Sequence, residues 1–109
     1  MDFSEYQKAA QKTAVYPGKG ENLYYPALGL NGEAGEVAEK VKKVMRDKFG
    51  ELDEETIEAL AYELGDCLWY LSTLADEIGY SLDLIAEMNI EKLASRKQRG
   101  KIQGSGDNR

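Results

Sequence analysis

Apolar residues recur along this chain at spacings of three and four, the pattern of amphipathic α-helices. The pattern predicts four helices, over residues 4–16, 26–48 and 54–78 and from Ser81 onward. The chain contains only two prolines, which favours long helices. The predicted fold class is therefore all-α, an antiparallel four-helix bundle-like protomer.

Capping and breaking residues mark the helix boundaries. Ser4 followed three residues later by Gln7 is typical of a capping box at the start of the first helix. The cluster of proline and glycine at 17–20 is expected to end that helix. Asp53 and Ser81 are the expected N-caps of the third and fourth helices.

The second and third predicted helices differ in kind. The third carries a broad apolar stripe, typical of a central helix: Ile57, Leu60, Ala61, Leu64, Leu68, Leu71, Leu74, Ala75 and Ile78. The second begins with Gly29, Gly32 and Gly35, each of which costs about 1 kcal/mol relative to alanine inside a helix. Such a stripe indicates either tight helix packing or close approach of a ligand.

Length and composition indicate a single domain over residues 1–109 with a flexible, glycine-rich tail from about 99 to 109. The N-terminus lacks the features of a signal peptide, and no apolar run is long enough to cross a membrane. The single cysteine, Cys67, excludes an intramolecular disulfide and is predicted to be a small core residue. We therefore expect a cytoplasmic protein without membrane association.

Two pairs of carboxylates lie in the middle helices, each pair spaced three residues apart: Glu33 with Glu36, and Glu63 with Asp66. Residues at this spacing share one helix face, and apolar neighbours predict that both pairs point inward. Four such carboxylates repel one another unless a cation lies between them. Oxygen ligands without imidazole or sulfur favour Mg²⁺ or Mn²⁺. Ordinary solvated helix charges are the alternative.

Charge is distributed unevenly along the chain. The net charge of −6 argues against nucleic-acid binding, yet residues 89–109 carry six basic side chains against two acidic ones. Within that segment Asn89, Lys92 and Arg96 share one helix face, a combination that suits a triphosphate. Basic residues are also common near helix C-termini, where they complement the helix dipole.

With these residues the chain resembles, over most of its length, the MazG-like, all-α nucleoside triphosphate pyrophosphatases. The family motif is Glu-Glu-x-x-Glu and, after a spacer, Glu-x-x-Asp. Here it reads Gly32-Glu33-Ala34-Gly35-Glu36 and then Glu63-Leu64-Gly65-Asp66. Gly32 replaces the first glutamate, as in the Gly-Glu-x-Gly-Glu subgroup.

The resemblance implies a role for each candidate residue. The Mg²⁺-binding and catalytic carboxylates, with Mn²⁺ as a possible substitute, are implied to be Glu33, Glu36, Glu63 and Asp66. The triphosphate-side residues are implied to be Asn89, Lys92 and Arg96. Tyr70, one turn beyond Asp66, is similar to a position that contacts the nucleotide.

The implied reaction is hydrolysis of a nucleoside triphosphate to the monophosphate and pyrophosphate by a homodimer or homotetramer. Because the chain has no histidine, either a carboxylate is the general base, with Glu33 and Glu36 as equal candidates, or the metal alone activates the water. The base preference stays open, with four aromatic residues as candidates for stacking: Tyr24, Tyr25, Trp69 and Tyr70.

The rival hypothesis is a non-enzymatic helical interaction module, which is either a bundle stabilised by a metal or an adaptor that binds a partner by its basic tail. A ferritin-like di-iron site is excluded because it requires Glu-x-x-His pairs, and the chain has no histidine. An adaptor does not need glycines beside its carboxylates, which favours the enzyme.

Overall fold

The computed structural model describes residues 1–109 and contains four α-helices and no strand. The helices are α1 (Phe3–Gln11), α2 (Tyr24–Asp47), α3 (Glu54–Glu77) and α4 (Leu82–Gln98). The predicted all-α class with four helices is confirmed. No helix is long and apolar enough to cross a membrane.

Helices α2 and α3 form an antiparallel hairpin that is the largest packed unit of the fold. The Nζ of Lys48 lies 2.8 Å from the Oδ2 of Asp53 at the closed end. Further along, Lys40 Nζ lies 3.6 Å from Glu63 Oε1. This pairing places the two carboxylate motifs on facing helices.

Helix α1 packs against α3 and against α4. The buried side chain of Gln7 in α1 is hydrogen-bonded to both of these helices and to the turn between them. Its Nε2 donates to Asp76 Oδ1 at 2.7 Å and to the Tyr80 carbonyl at 3.1 Å. Its Oε1 accepts from the Leu82 backbone N–H at 3.0 Å. A buried amide with its bonds satisfied in this way fixes the turn between α3 and α4.

The predicted caps of α3 and α4 are confirmed, whereas the capping box of α1 is wrong. Asp53 and Ser81 accept hydrogen bonds from backbone N–H groups of the first turns of their helices. In α1 the N-cap is Asp2, which accepts from the Glu5 N–H at 2.8 Å. Ser4 instead donates to the Asp83 carboxylate across the fold. Tertiary partners, rather than the local motif, determine where Ser4 and Gln7 bond.

The ends of α1 and α2 also differ from the prediction. Helix α1 ends at Gln11 rather than near Tyr16, because Tyr16 turns inward and stacks on Tyr25 with ring centroids 4.8 Å apart. Helix α2 begins at Tyr24, so Pro26 lies within its first turn, where a missing N–H costs no helix hydrogen bond.

The outer face of α3 is left without a partner in the single chain. Four residues spaced seven apart remain 45–59% exposed: Ile57, Leu64, Leu71 and Ile78. Only 11 of 109 residues are buried, and the accessible surface is 8139 Å². A compact monomer of 12.2 kDa exposes about 6,100 Å². The chain thus shows about 2,000 Å² more than a self-contained domain of its mass.

Candidate metal centre and nucleotide site

Helices α2 and α3 bring three of the four predicted carboxylates together. Each of Glu33, Glu63 and Asp66 offers an oxygen, and these oxygens all lie within 4.8 Å of one another. We call this group the carboxylate cluster. Glu36 is exposed and lies outside it, and Asp66 is exposed although it belongs to the cluster. The predicted inward orientation therefore fails for these two side chains.

The carboxylate cluster has more acidic groups than cationic partners. Burial raises the pKa of Glu33, and the neighbouring carboxylates of Glu63 and Asp66 raise it further. The only cation within ion-pair distance is Lys40, at 3.6 Å from Glu63 Oε1. The other oxygen, Glu63 Oε2, is buried and has no hydrogen-bond partner. Three acidic groups thus share one cation, which leaves an acceptor unsatisfied.

A hard divalent cation fits this arrangement. The donors are carboxylate oxygens, the ligands that Mg²⁺ prefers. A cation bound here would give the buried Glu63 Oε2 its missing partner. The neighbouring Cys67 is half-buried, and burial together with the three carboxylates raises the pKa of its thiol.

Tyr70 lies beside the carboxylate cluster and explains the first glycine of the α2 stripe. A Cβ atom at Gly29 would overlap the Tyr70 ring, so only glycine lets the ring lie against the helix backbone. Burial raises the pKa of Tyr70, and Tyr25 and Glu33 raise it further. Because Gly29 lies one turn before Glu33 on α2, the ring lies about one turn from Glu33 along that helix.

The second and third glycines of the stripe serve no packing contact within the chain. No atom lies within 4 Å of a Cβ placed at Gly32 or Gly35. These two residues flank Glu33 and Glu36, so the α2 surface beside the carboxylates is open to a ligand or to another chain. The two explanations of the stripe, helix packing and access, thus apply to different glycines.

The predicted basic face of Asn89, Lys92 and Arg96 lies away from the carboxylate cluster of the same chain. Asn89 and Lys92 line a cavity of about 520 Å³ whose other walls are Ile78, Tyr80, Ile85 and Met88. Ile78 is twelve residues beyond Asp66, or about 18 Å along the helix axis. The structure therefore does not bring this pair to the carboxylate cluster of the same chain.

Arg96, the third member of that face, is buried beneath the C-terminal tail. It is 7% exposed, and its Nη2 donates to the Asp107 carbonyl at 2.7 Å. Arg109 holds the tail in place by donating to the carbonyls of Lys101, Ile102 and Gly106. The guanidinium of Arg96 has no carboxylate within ion-pair distance.

Residues 26–100 match the family described as "MazG nucleotide pyrophosphohydrolase domain". The chain belongs to this family. The match covers more than half of the chain and includes both carboxylate motifs and the predicted basic face. The resemblance found from the motifs is thereby confirmed, and with it the assignment to a family of nucleotide pyrophosphohydrolases.

One relative of this MazG chain is a protein of Mycobacterium phage L5 named "Gene 37 protein". The two are 51% identical over 114 aligned positions, which cover 100% of each chain. That name specifies no activity. No solved structure matches the chain.

Two residues that matter in this MazG domain escaped the sequence analysis. Lys40, the partner of Glu63, lies seven residues after Glu33 and four after Glu36, so helical spacing could have indicated it. Glu77, at the end of α3, accepts hydrogen bonds from Tyr16, Gly20 and Asn22. No sequence pattern indicated Glu77, because its partners are 55 to 61 residues away.

Proposed function

We propose that this chain hydrolyses a nucleoside or deoxynucleoside triphosphate to the monophosphate and pyrophosphate, with Mg²⁺ at the carboxylate cluster. The observation that carries the proposal is the carboxylate cluster itself, in which one oxygen each of Glu33, Glu63 and Asp66 lies within 4.8 Å of the others. The buried Glu63 Oε2, which has no hydrogen-bond partner, supports it. The family match to nucleotide pyrophosphohydrolases supports the reaction class.

The metal site is proposed to use all four predicted carboxylates. When bound, Mg²⁺ supplies charge neutralisation for the phosphates and a lowered pKa for a bound water, with Mn²⁺ as a substitute. Glu33, Glu63 and Asp66 already lie together. Glu36 stays a predicted fourth ligand or proton acceptor: it is one turn from Glu33, exposed, and free of hydrogen bonds and ion pairs within the chain.

The phosphate side is proposed to come from Asn89, Lys92 and Arg96 of a second copy of the chain. Within one chain Lys92 lies near Ile78, well away from Asp66. The exposed surface in excess of that of a compact monomer also supports a second copy, because a standard interface buries only about 800 Å² per partner. The excess of about 2,000 Å² supports a homodimer or homotetramer.

The α3 seam, which we define as Ile57, Leu64, Leu71 and Ile78, is the proposed contact between copies. Residues spaced seven apart return to within about 20° of the same helix face, which is the repeat of helices that pair along their length. Glu63 and Asp66 lie on other faces of α3 and are therefore not part of the seam.

The experiment is product analysis of the purified protein with a panel of nucleoside triphosphates, in Mg²⁺ and in EDTA. The expected products are monophosphate and pyrophosphate in equal amounts, in Mg²⁺ alone. Asp66→Asn should abolish turnover, whereas Glu58→Gln, an exposed carboxylate on the same helix, should not. Diphosphate with inorganic phosphate, or turnover that survives Asp66→Asn, would refute the proposal. Metal-dependent stabilisation without hydrolysis would favour the non-enzymatic module.

A further inference from the structure

Glu77, the last residue of α3, gathers three hydrogen bonds from the segment between α1 and α2. Its Oε1 accepts from the Tyr16 hydroxyl and from the Gly20 N–H at 2.8 Å. Its Oε2 accepts from the Asn22 N–H at 3.1 Å. No lysine or arginine lies within ion-pair distance, so all three hydrogen bonds to this carboxylate come from neutral donors.

The first consequence of these bonds is that Asn22 is fixed as a helix cap. Its Oδ1 accepts from the Tyr25 N–H at 3.2 Å, and its Nδ2 donates to the Pro17 carbonyl at 2.8 Å. The N-terminal N–H groups of a helix lack partners within the helix. Glu77 therefore reaches the backbone of Tyr25 through Asn22.

The second consequence is that the Tyr16 ring is locked against Tyr25. Tyr16 is buried, and its ring stacks on that of Tyr25 at 4.8 Å with an interplanar angle of 28°. Its hydroxyl donates a hydrogen bond to Glu77 Oε1. Two independent routes from Glu77, one through the backbone and one through a ring, thus converge on Tyr25.

Tyr25 continues this arrangement toward the carboxylate cluster. Its ring centroid lies 6.5 Å from that of Tyr70, which covers Gly29, one turn before Glu33. Tyr25 keeps 43% of its surface exposed, so part of its ring is available to a planar ligand. We call Tyr16, Tyr25 and Tyr70 the tyrosine row.

We infer that Glu77 is a positioning residue for nucleotide binding: it holds the tyrosine row so that Tyr25 and Tyr70 stack on the base of a triphosphate whose phosphates face the carboxylate cluster. The inference rests on the proposed function for the identity of the ligand. Base-to-aromatic stacking tolerates every base, because each has a π-face. The row would therefore add affinity for a nucleotide and none for its phosphates alone.

A carboxylate suits this position better than an amide. Glu77 faces three donors, and an ionised carboxylate is an acceptor at both oxygens. In Glu77→Gln the amide NH₂, which cannot accept a hydrogen bond, would replace one of the two acceptor oxygens. It would then face either the Asn22 N–H or the Tyr16 hydroxyl and Gly20 N–H, all of which donate to the native carboxylate. The loop should then shift without the loss of a large buried volume.

The test compares two probes by calorimetric titration in Mg²⁺: the α,β-imido analogue of dATP and inorganic tripolyphosphate. Neither measurement needs turnover. Glu77→Gln should weaken binding of the dATP analogue about tenfold, within the range that stacking supplies, and change tripolyphosphate binding less than twofold. Tyr16→Phe keeps the ring and removes one donor, so it should weaken analogue binding in the same direction by a smaller factor. Glu87→Gln, an exposed carboxylate on α4, is the matched control.

An equal loss of both probes, or no loss of either, would overturn the inference, even with a lowered melting temperature. Failure of the wild type to bind the analogue would overturn it as well. If the wild type binds the analogue and the variants behave as expected, yet dATP is not hydrolysed, the proposed function fails and the positioning role stands.

Discussion

Lys40 Nζ lies 3.6 Å from Glu63 Oε1 and is the only cation within ion-pair distance of the carboxylate cluster. Its charge offsets one of the acidic groups and leaves the others in excess. The stability of the metal-free protein should therefore depend on which carboxylate is neutralised, since Glu63 has a cationic partner and Asp66 has none.

Asp66→Asn should raise the melting temperature of the metal-free protein by about 2–4 °C, because it relieves repulsion and breaks no ion pair. Glu63→Gln should raise it less, because Lys40 loses its partner. Both variants should lose most of the stabilisation by Mg²⁺. Thermal melts in EDTA and in Mg²⁺ measure this, and lower stability of both variants in EDTA would contradict the metal site.

The raised pKa of Glu33 predicts a pH dependence of stability in EDTA. A carboxyl whose pKa is higher in the folded state favours folding below its ordinary value, here 4.5, and loses that contribution as the pH rises through the folded value. Glu33→Gln removes the effect. The melting temperature of the variant minus that of the wild type should therefore grow from pH 4 to pH 7, and a constant difference would refute the prediction.

Gly29 and Gly35 should respond to alanine in opposite ways. Gly29→Ala places a methyl group into the Tyr70 ring, and such overpacking costs roughly 1–3 kcal/mol. Gly35→Ala meets no atom within 4 Å and should stabilise α2 by up to about 1 kcal/mol. Chemical denaturation of both variants tests the pair. If both substitutions changed the free energy of unfolding in the same direction, the two glycines would have the same role, contrary to this prediction.

The basic residues of α4 should separate into two classes. Lys92→Ala should lower kcat/KM about tenfold and leave the melting temperature unchanged, because Lys92 is exposed. Arg96→Ala should lower both, because its buried guanidinium also binds the tail. Lys97→Ala serves as the exposed control. Unchanged kcat/KM in both variants would remove this face from the site.

The α3 seam should control assembly. Leu64→Glu and Leu71→Glu place charges at its centre, where burial against a second copy would be strongly unfavourable, and should yield monomers in light scattering. Val15→Glu, at an 88% exposed loop position, should leave assembly unchanged. A monomeric wild type, or seam variants that assemble like it, would contradict the proposed interface.

Local signals predicted much of this fold. The helices α2 and α3 and the caps Asp53 and Ser81 follow from spacing and side-chain chemistry that act within a few residues. Glu33, Glu63 and Asp66 could be brought together in the same way, because a short turn forces consecutive helices to pack side by side.

Features that depend on distant partners could not be predicted. Gln7 fits a capping box by sequence, yet its bonds go to residues 69 to 75 positions away. The periodicity of α4 shows that Asn89 and Lys92 share a face, but it does not show where the helix points. Their distance from the carboxylate cluster is set by the turn between α3 and α4.

Helix α4 is held near one end, so a small rotation there moves its other end much further. The helix has 17 residues and is therefore about 25 Å long, and it is held near its first turn, where Gln7 bonds the Leu82 N–H. By simple trigonometry, a rotation of 10° at that point would sweep its far end through about 4 Å. A small rotation around Gln7 would thus displace Arg96 by several times the movement at Gln7 itself, so a substitution at Gln7 would shift the proposed phosphate-side residues.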